Sequence, residues 1–425
     1  MKAREPQLEA ADALIVGAGP AGLTAAIAAG ERGRRAVVLE QLQRPGAKLL
    51  ASGGGRCNLT NTLPPEDFMA GFGRQGRFMQ PALAALDAAG LRRMLDRLGV
   101  ATHAPDGLRV YPVSDAAVTV QAALWRRARA QGAQVRLGVR ATGLWLEGGR
   151  LRGLRTTAGE VAAERVVVAA GGRGYPSLGG GTSGYHLARQ AGHTIVEPTP
   201  ALVPLVARDG WVRSCAGAAV APARAWIAIP GRAAAGVTGD VLFTHRGVSG
   251  PAILDLSGDV AVLLGRQASV PLRLNLAPGT AAEEWRGRFQ AWRVAEPRRA
   301  VVTLLDRHLP RSVAAAVAGL AGIGPTVRPT QAGARSLGRL ATLLTCLPLE
   351  IVATEGWDHA MVTRGGVSLK EVDPRTLASR RLAGLFFAGE VLDLDGPSGG
   401  FNLQWAFSSG RLAGIAAAAF SAAEA

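Results

Sequence analysis

The chain has 425 residues, 48% of them hydrophobic, and 56 glycines, which is enough apolar content for two or three packed domains and excludes a disordered protein. Its 48 Lys and Arg outnumber 32 Asp and Glu for a net charge of +16. Only Lys2, Lys48 and Lys370 are lysines, so the excess is arginine scattered along the chain, and an arginine-biased soluble enzyme is expected ahead of a nucleic-acid binder.

The three cysteines, Cys57, Cys215 and Cys346, are far apart and show no CxxC spacing. They exclude a disulfide framework and an ordinary zinc site, and the histidines and carboxylates form no metal-ligand cluster. Met1 to Glu9 is short and charged and lacks the apolar stretch of a secretory signal. No apolar run reaches the roughly 18 to 20 residues that span a bilayer, so a cytoplasmic protein without a membrane partner is expected.

Taken in chain order, Ala11 to Val16 is a short apolar strand that feeds into Gly17-Ala18-Gly19-Pro20-Ala21-Gly22, and Leu23 to Gly30 then reads as an alanine-rich helix. Gly17 permits a tight turn, Gly19 lets the backbone approach a pyrophosphate, and Gly22 lets helix and strand pack closely. The helix start offers N–H groups and a positive dipole end to that anion. A second apolar run, Arg35 to Leu39, ends in Glu40, 18 residues beyond Gly22, with Gln41 beside it. A carboxylate there accepts hydrogen bonds from ribose hydroxyls and repels a 2′-phosphate, which favours FAD or NAD over NADP.

Ser52 to Asn61 reads as a cradle for the cofactor ring. In it Gly53, Gly54 and Gly55 bring the backbone close, Arg56 and Asn58 supply donors, and Cys57 stands where a thiol could face a flavin. Ser52 and the nearby Lys48 join these contacts, with Ala141 further on. Arg92 to Arg97 and Trp125 to Arg129 read as polar helix faces. Arg165 to Ala170 is another buried strand running into Gly171-Gly172, and Tyr175 and Ser177 follow it as polar groups at a strand end. Gly179-x-Gly181-x-x-Gly184 fits a bare second fingerprint, but Pro176 precedes it and no acid-ended strand follows, so it reads as a flexible loop.

From about Thr199 the period changes. Strand-like runs such as Ala225 to Ile229 and Val270 to Leu274 precede helical stretches at Ala281 to Trp292 and Arg311 to Leu320, as in a separate inserted domain. His245 lies in a loop before Pro251. Near the C-terminus come the strand Gly384 to Ala388, then Gly389, Glu390 and Asp393, and then Gly399-Gly400-Phe401-Asn402-Leu403-Gln404 opening an alanine-rich helix. This stretch resembles the late flavin motif, in which an acid holds the ribityl chain and a helix start faces the ring, and a chain that leaves the nucleotide domain and returns to it favours FAD over NAD. Trp405 is expected to pack beneath that last helix.

The run Ala47 to Asn61, Val110 to Ser114, Gly171-Gly172 with Tyr175 to Ser177, Phe243 to Pro251, Gly365 to Val367 and Phe387 to Asp393 with Gly399 to Ala406 resemble one family across nearly the whole chain. These are the bacterial NAD(P)/FAD-dependent oxidoreductases of the BaiN/RdsA type, also called aminoacetone oxidase family FAD-binding enzymes. The resemblance implies an α/β doubly wound, glutathione-reductase-like FAD domain with an inserted β-barrel and a small helical subdomain. The expected domains are 1–198 and 363–425 for the FAD domain and 199–362 for the insert. The glycine-rich stretch Gly179 to Ser183 departs from the family pattern and is expected to be loose.

The expected chemistry is hydride transfer between the flavin and a small organic substrate held between the FAD domain and the insert, with His245, Cys57 and Tyr175 as candidate catalytic groups. No partner cysteine stands near Cys57 to make a redox disulfide. A NAD(P)H-dependent reductase of an activated C=C bond leads, with the nicotinamide nucleotide binding only transiently. An oxygen-using amine oxidase and a basic RNA-associated flavoprotein are the alternatives.

Overall fold

Uninterrupted Ala, Val, Leu and Ile suit strands covered on both faces, and such strands form a parallel sheet here. Its order is Leu385–Phe387, Val166–Val168, Ala13–Val16, Ala36–Glu40 and Gln134–Leu137, every neighbouring pair parallel. The first four are buried throughout, whereas the edge strand Gln134–Leu137 alternates exposed and half-buried residues. In this computed structural model residues 11–231 and 236–421 are described; Lys2 and the polar Met1 to Glu9 segment lie outside them.

The chain divides into two compact units, one from the described parts of Met1–Pro198 and Val362–Ala425, the other from those of Thr199–Met361. In the first, the helix Pro20–Gly30 follows the opening strand directly. It begins earlier than the Leu23 expected from sequence, because proline in the first turn has a suitable φ and lacks only an N–H that would find no partner there. An antiparallel meander of Ala141–Glu147, Arg150–Thr156 and Gly159–Ala162 precedes the return of the chain to the sheet at Val166. The C-terminal helix Phe401–Ala419 packs along Pro20–Gly30 backbone against backbone. A Cβ on Gly410 would lie 2.2 Å from the Ala21 carbonyl oxygen, and one on Gly414 2.3 Å from that of Ala25.

The second unit is a closed six-stranded barrel, ordered Leu205–Ala207, Gly247–Ser249, Val237–Phe243, Ala219–Ile227, Val270–Asn275 and Leu347–Thr354. Its helices include Pro251–Leu264, Ala282–Ala295, Arg311–Leu320 and Ala334–Thr345. The strand expected at Ala225 begins at Ala219, and the register shift between Val220 and Ala223 accommodates Pro222, the residue that hides the strand in the sequence. The barrel unit has its own core, which includes Trp285, Phe289 and Phe243. Among the described residues no helix is long and apolar enough to cross a membrane, and no group of His, Cys, Asp and Glu could hold a metal ion.

The helix pair yields a direct test. Gly414→Leu should lower the stability of the protein by about 1 to 3 kcal/mol, read as a lower unfolding temperature, because overpacking forces the two backbones apart. Gly338→Ala, in a helix where a new Cβ meets nothing within 4 Å, should leave stability unchanged or slightly raised.

Candidate functional site

The glycines at the C-terminal ends of the sheet strands fall into two groups. Gly17, at φ 100°, turns the chain so tightly that a Cβ would lie 2.5 Å from the Ala169 carbonyl oxygen, and one on Gly22 would lie 1.8 Å from that of Gly17. Gly172 is closed by Glu390 Oε1 at 2.3 Å, Gly389 by Ala21 Cβ at 3.0 Å, and Gly400 by the Thr60 backbone at 2.5 Å. Gly19, Gly54 and Gly171, by contrast, have nothing within 4 Å of the space a Cβ would take. Locked glycines therefore hold the turns together while open ones leave backbone facing free space, as a cradle for an extended ligand requires.

Donors and acceptors surround that cradle. Pro20–Gly30 starts at Gly19 with no side-chain cap, so its first N–H groups are available to an anion. Glu40 is buried; Oε2 accepts from the Ala18 N–H at 2.8 Å and Oε1 from the Leu42 N–H at 2.9 Å. The neighbouring Gln41 turns away and donates to the Gly179 carbonyl at 2.7 Å.

The returning segment is tied into this site at several points. Lys48 Nζ lies 2.8 Å from Glu390 Oε2 in a partly buried ion pair, and Glu390 Oε1 also accepts from the Thr363 N–H at 2.9 Å. Thr363, buried and unnoticed in the sequence, accepts from the Arg173 N–H at 2.8 Å, and so joins the segment after Gly171-Gly172 to that carboxylate. Its only sequence signal is its place just before the Gly365-Gly366 pair. Asp393 accepts from Gln75 at 3.1 Å, and burial lifts its carboxyl above the usual carboxylate range against that hydrogen bond and the Arg364 charge. Ser52 donates its hydroxyl to the Leu49 carbonyl at 2.7 Å.

Arg56 departs from the expectation that it offsets cofactor charge. Its guanidinium lies 2.9 Å from Asp115 Oδ1 and 4.5 Å over the Tyr111 ring, so its charge is already partnered within the protein. Asn58, with its amide turned to suit its neighbours, donates to the Thr60 carbonyl at 3.2 Å and accepts from the Gly400 N–H at 3.1 Å. The loop that carries both passes through the left-handed region at Gly53, Gly54, Gly55 and Cys57. Asn402 closes the turn before its helix by accepting from the Gly396 N–H at 2.9 Å and donating to the Gly396 carbonyl at 2.8 Å.

Three further positions are corrected. Gln404 is fully buried; its amide N–H donates to the Leu86 carbonyl and to Ser408, both at 2.9 Å, while its Oε1 has no hydrogen-bond partner among the described residues. The Phe401 ring stacks on Phe68 at 4.8 Å and meets Phe72 edge-on at 5.9 Å, as core. The Gly179 to Ser183 stretch is not loose: the Gly181 N–H donates to the Gly172 carbonyl at 3.0 Å, and a Cβ on Gly180 would lie 2.0 Å from the Gly174 carbonyl oxygen. Ala141 is buried at the start of the meander, and Ala170 lies half-buried at the end of its strand. Trp405 is buried beneath the last helix, and its indole N–H donates to the Gly389 carbonyl at 3.2 Å.

Of the candidate catalytic groups, Tyr175 is half-buried in the left-handed region at φ 54°, and its carbonyl accepts from Leu178 and Gly180. His245 belongs to the second unit, exposed in the turn closed by the Thr244 N–H on the Gly247 carbonyl at 2.9 Å. Cys57 is wholly buried, and burial pushes its thiol up to about 12. A thiol that weakly acidic stays protonated at neutral pH and is a poor nucleophile. The Cys57 peptide should accordingly carry no iodoacetamide label after treatment of the native protein at pH 8 and full label after denaturation, as read by mass spectrometry; labelling in the native state would contradict the buried thiol.

The chain resembles known proteins over nearly its whole length. Over residues 11–416 the chain matches the model of the HI0933-like protein Rossmann domain. It is 33% identical over 411 residues to a 3-dehydro-bile acid delta(4,6)-reductase of Clostridium scindens, covering 95% of this chain and 98% of that protein. It is 31% identical over 414 residues to a ribosomal RNA dihydrouridine synthase of Escherichia coli, covering 95% and 96%. Among solved structures it resembles in fold a 3-ketosteroid-delta4-(5alpha)-dehydrogenase of Rhodococcus jostii, with TM-score 0.52, 18% identity and 99% of each chain covered. A flavocytochrome c3 fumarate reductase gives TM-score 0.52 at 18% identity, over 97% of this chain and 79% of that one. The open glycines, the uncapped helix start and the buried acid Glu40 fit FAD, and the chain belongs to the HI0933-like family of Rossmann-fold, FAD-dependent oxidoreductases.

Proposed function

We propose that this enzyme reduces a carbon–carbon double bond conjugated to a carbonyl group, with NADH or NADPH as the donor. The observation that carries the reading is the 33% identity, over 95% of the chain, to a protein named a delta(4,6)-reductase. The lone, buried Cys57 supports it, since a disulfide relay would need a second thiol. When bound, FAD supplies hydride chemistry at its flavin ring.

The chain's own residues hold and orient. Glu40 would accept the ribose hydroxyls beside the backbone N–H groups it already engages, and the N–H groups after Gly19 would hold the pyrophosphate. The open faces at Gly54 and Gly171 would admit the rest of the cofactor, and Asp393, half-buried and hydrogen-bonded to Gln75, would hold its ribityl hydroxyls. Lys48 and Glu390 clamp the short helix Ala47–Ala51 to the returning segment. Tyr175, at the end of a sheet strand of the first unit, is the group offered as proton donor to the reduced double bond.

A second reading, in which the double bond belongs to a uracil base in RNA, is supported by the Escherichia coli relative's name and by the net charge of +16. Both readings share one chemistry and differ in the size of the substrate.

Two measurements test the proposal. Anaerobic mixing with NADH or NADPH should bleach the flavin band, and an α,β-unsaturated ketone should restore it whereas its saturated counterpart should not. No bleaching within minutes, or bleaching by an amine in place of the nucleotide, would overturn the reductase reading in favour of an oxidase. Glu40→Ala should weaken FAD binding to the apoprotein by about 10- to 100-fold, the loss of charge-assisted hydrogen bonds, as read by quenching of flavin fluorescence. Glu40→Gln should lose less.

A further inference from the structure

His193 follows the helix Ser183–Gln190, and its side chain is wholly buried against the chain that returns to the sheet. Its Nε2 lies 2.6 Å from Ser379 Oγ, its Nδ1 lies 3.4 Å from Glu371 Oε2, and its ring meets Phe387 edge-on at 4.8 Å. Serine, histidine and a carboxylate in that order are the parts of an acyl-transfer site, but Ser379 is no nucleophile here. Its oxygen already accepts the Arg381 N–H at 3.0 Å and the Leu382 N–H at 2.9 Å, which engages both lone pairs.

That saturation fixes the protons. The Ser379 hydroxyl hydrogen is left to donate, so His193 Nε2 accepts it and the neutral ring carries its own proton on Nδ1. A proton added at Nε2 would face an oxygen with no free lone pair. Burial disfavours the charged ring further and lowers the pKa of His193, against the pull of Glu371 and with the push of Arg381, the charged groups that face it. Glu371 is occupied elsewhere: it accepts from the Thr194 N–H at 2.7 Å, the Thr194 hydroxyl at 3.2 Å and the Arg381 guanidinium at 2.7 Å. These donors, Arg381 first, hold its carboxyl down at about 2, so it stays ionised throughout the range in which histidine titrates.

Ser379 and Glu371 belong to a strap that pairs with the last strand of the sheet. The Ser379 N–H donates to the Leu385 carbonyl at 2.8 Å, and the Phe387 N–H to the Leu377 carbonyl at 3.0 Å. Gly389 and Glu390, which meet Ala21 and Lys48 at the cofactor site, come directly after this strand. We propose that His193, Ser379 and Glu371 form an acid-sensitive latch on the returning segment, which keeps FAD bound at neutral pH and weakens its hold when His193 takes up a proton. The inference rests on the FAD site and is independent of which bond the flavin reduces.

Once the strap loosens, His193 binds a proton near pH 6.5 like any free histidine, whereas the latched ring binds it only at lower pH. The latch therefore holds fully above about pH 7 and weakens as the pH falls, by at most about tenfold in an equilibrium constant per pH unit for one proton. The test is the FAD affinity of the full-length protein between about pH 8 and 5, from the flavin that passes an ultrafiltration membrane, beside urea unfolding over the same range. The parent should lose affinity and stability below about pH 6.5. His193→Gln keeps an acceptor for the Ser379 hydroxyl but takes no proton, and should match the parent at pH 8 and show flatter profiles in acid. Ser379→Ala frees Nε2 for a proton, and should be less stable at pH 8 yet also flatter in acid. Bleaching of the His193→Gln holoenzyme by NAD(P)H at pH 8, where the latch is closed, should match the parent, which separates failure of the latch from failure of the reductase reading. A parent profile without acid loss, or profiles of both variants that run parallel to the parent's, would overturn the proposal.

Discussion

Two helices from opposite ends of the chain touch backbone to backbone, and the cofactor site depends on that contact. Pro20–Gly30 presents Ala21 and Ala25, one turn apart, and Phe401–Ala419 presents Gly410 and Gly414 at the same spacing, with no room for a Cβ between them. This approach sets Ala21 of the glycine turn against Gly389 of the returning segment. Side chains of the last helix finish the alignment: Ser409 accepts the Gly389 N–H at 2.9 Å and Trp405 donates to the Gly389 carbonyl at 3.2 Å. Glu390, the next residue, is thereby placed within reach of Lys48 and Thr363.

The polar groups divide the labour in a way that follows from their partners. Those engaged by protein partners brace the framework. Gln404 braces Leu86 and Ser408, Asn402 closes a turn, and Arg56 with Asp115 and Tyr111 restrains a loop whose glycines and Cys57 sit in the left-handed region. Such backbone is held by its surroundings rather than by local preference. The groups with spare capacity are the uncapped start of Pro20–Gly30 and the open faces of Gly19, Gly54 and Gly171, and these lie where a ligand must approach.

Much of this was legible in the sequence because it rests on local rules. A glycine that must turn or pack closely appears as glycine, so Gly17 and Gly22 declare their roles, and Glu40 is found by its interval from them. The order of strand, turn, helix and strand follows equally from short-range patterns. Partners distant in sequence were not legible. Lys48 and Glu390 are 342 positions apart, Arg56 and Asp115 are 59 apart, and Gln404 and Leu86 are 318 apart, so no spacing rule connects them. For that reason Arg56 read as a cofactor contact and Gln404 as a ligand group, when the fold gives each a protein partner. Thr363 escaped notice because a buried threonine carries no pattern of its own.

The central claim is that these two helices and the strands between them build a site for FAD. The absorbance spectrum of the purified protein, followed by acid release and identification of the chromophore, tests it most directly. The account predicts a yellow protein that releases intact FAD in stoichiometric amount, or an apoprotein that regains that spectrum on addition of FAD. A colourless preparation that FAD does not reconstitute, or one that releases FMN instead, would contradict it.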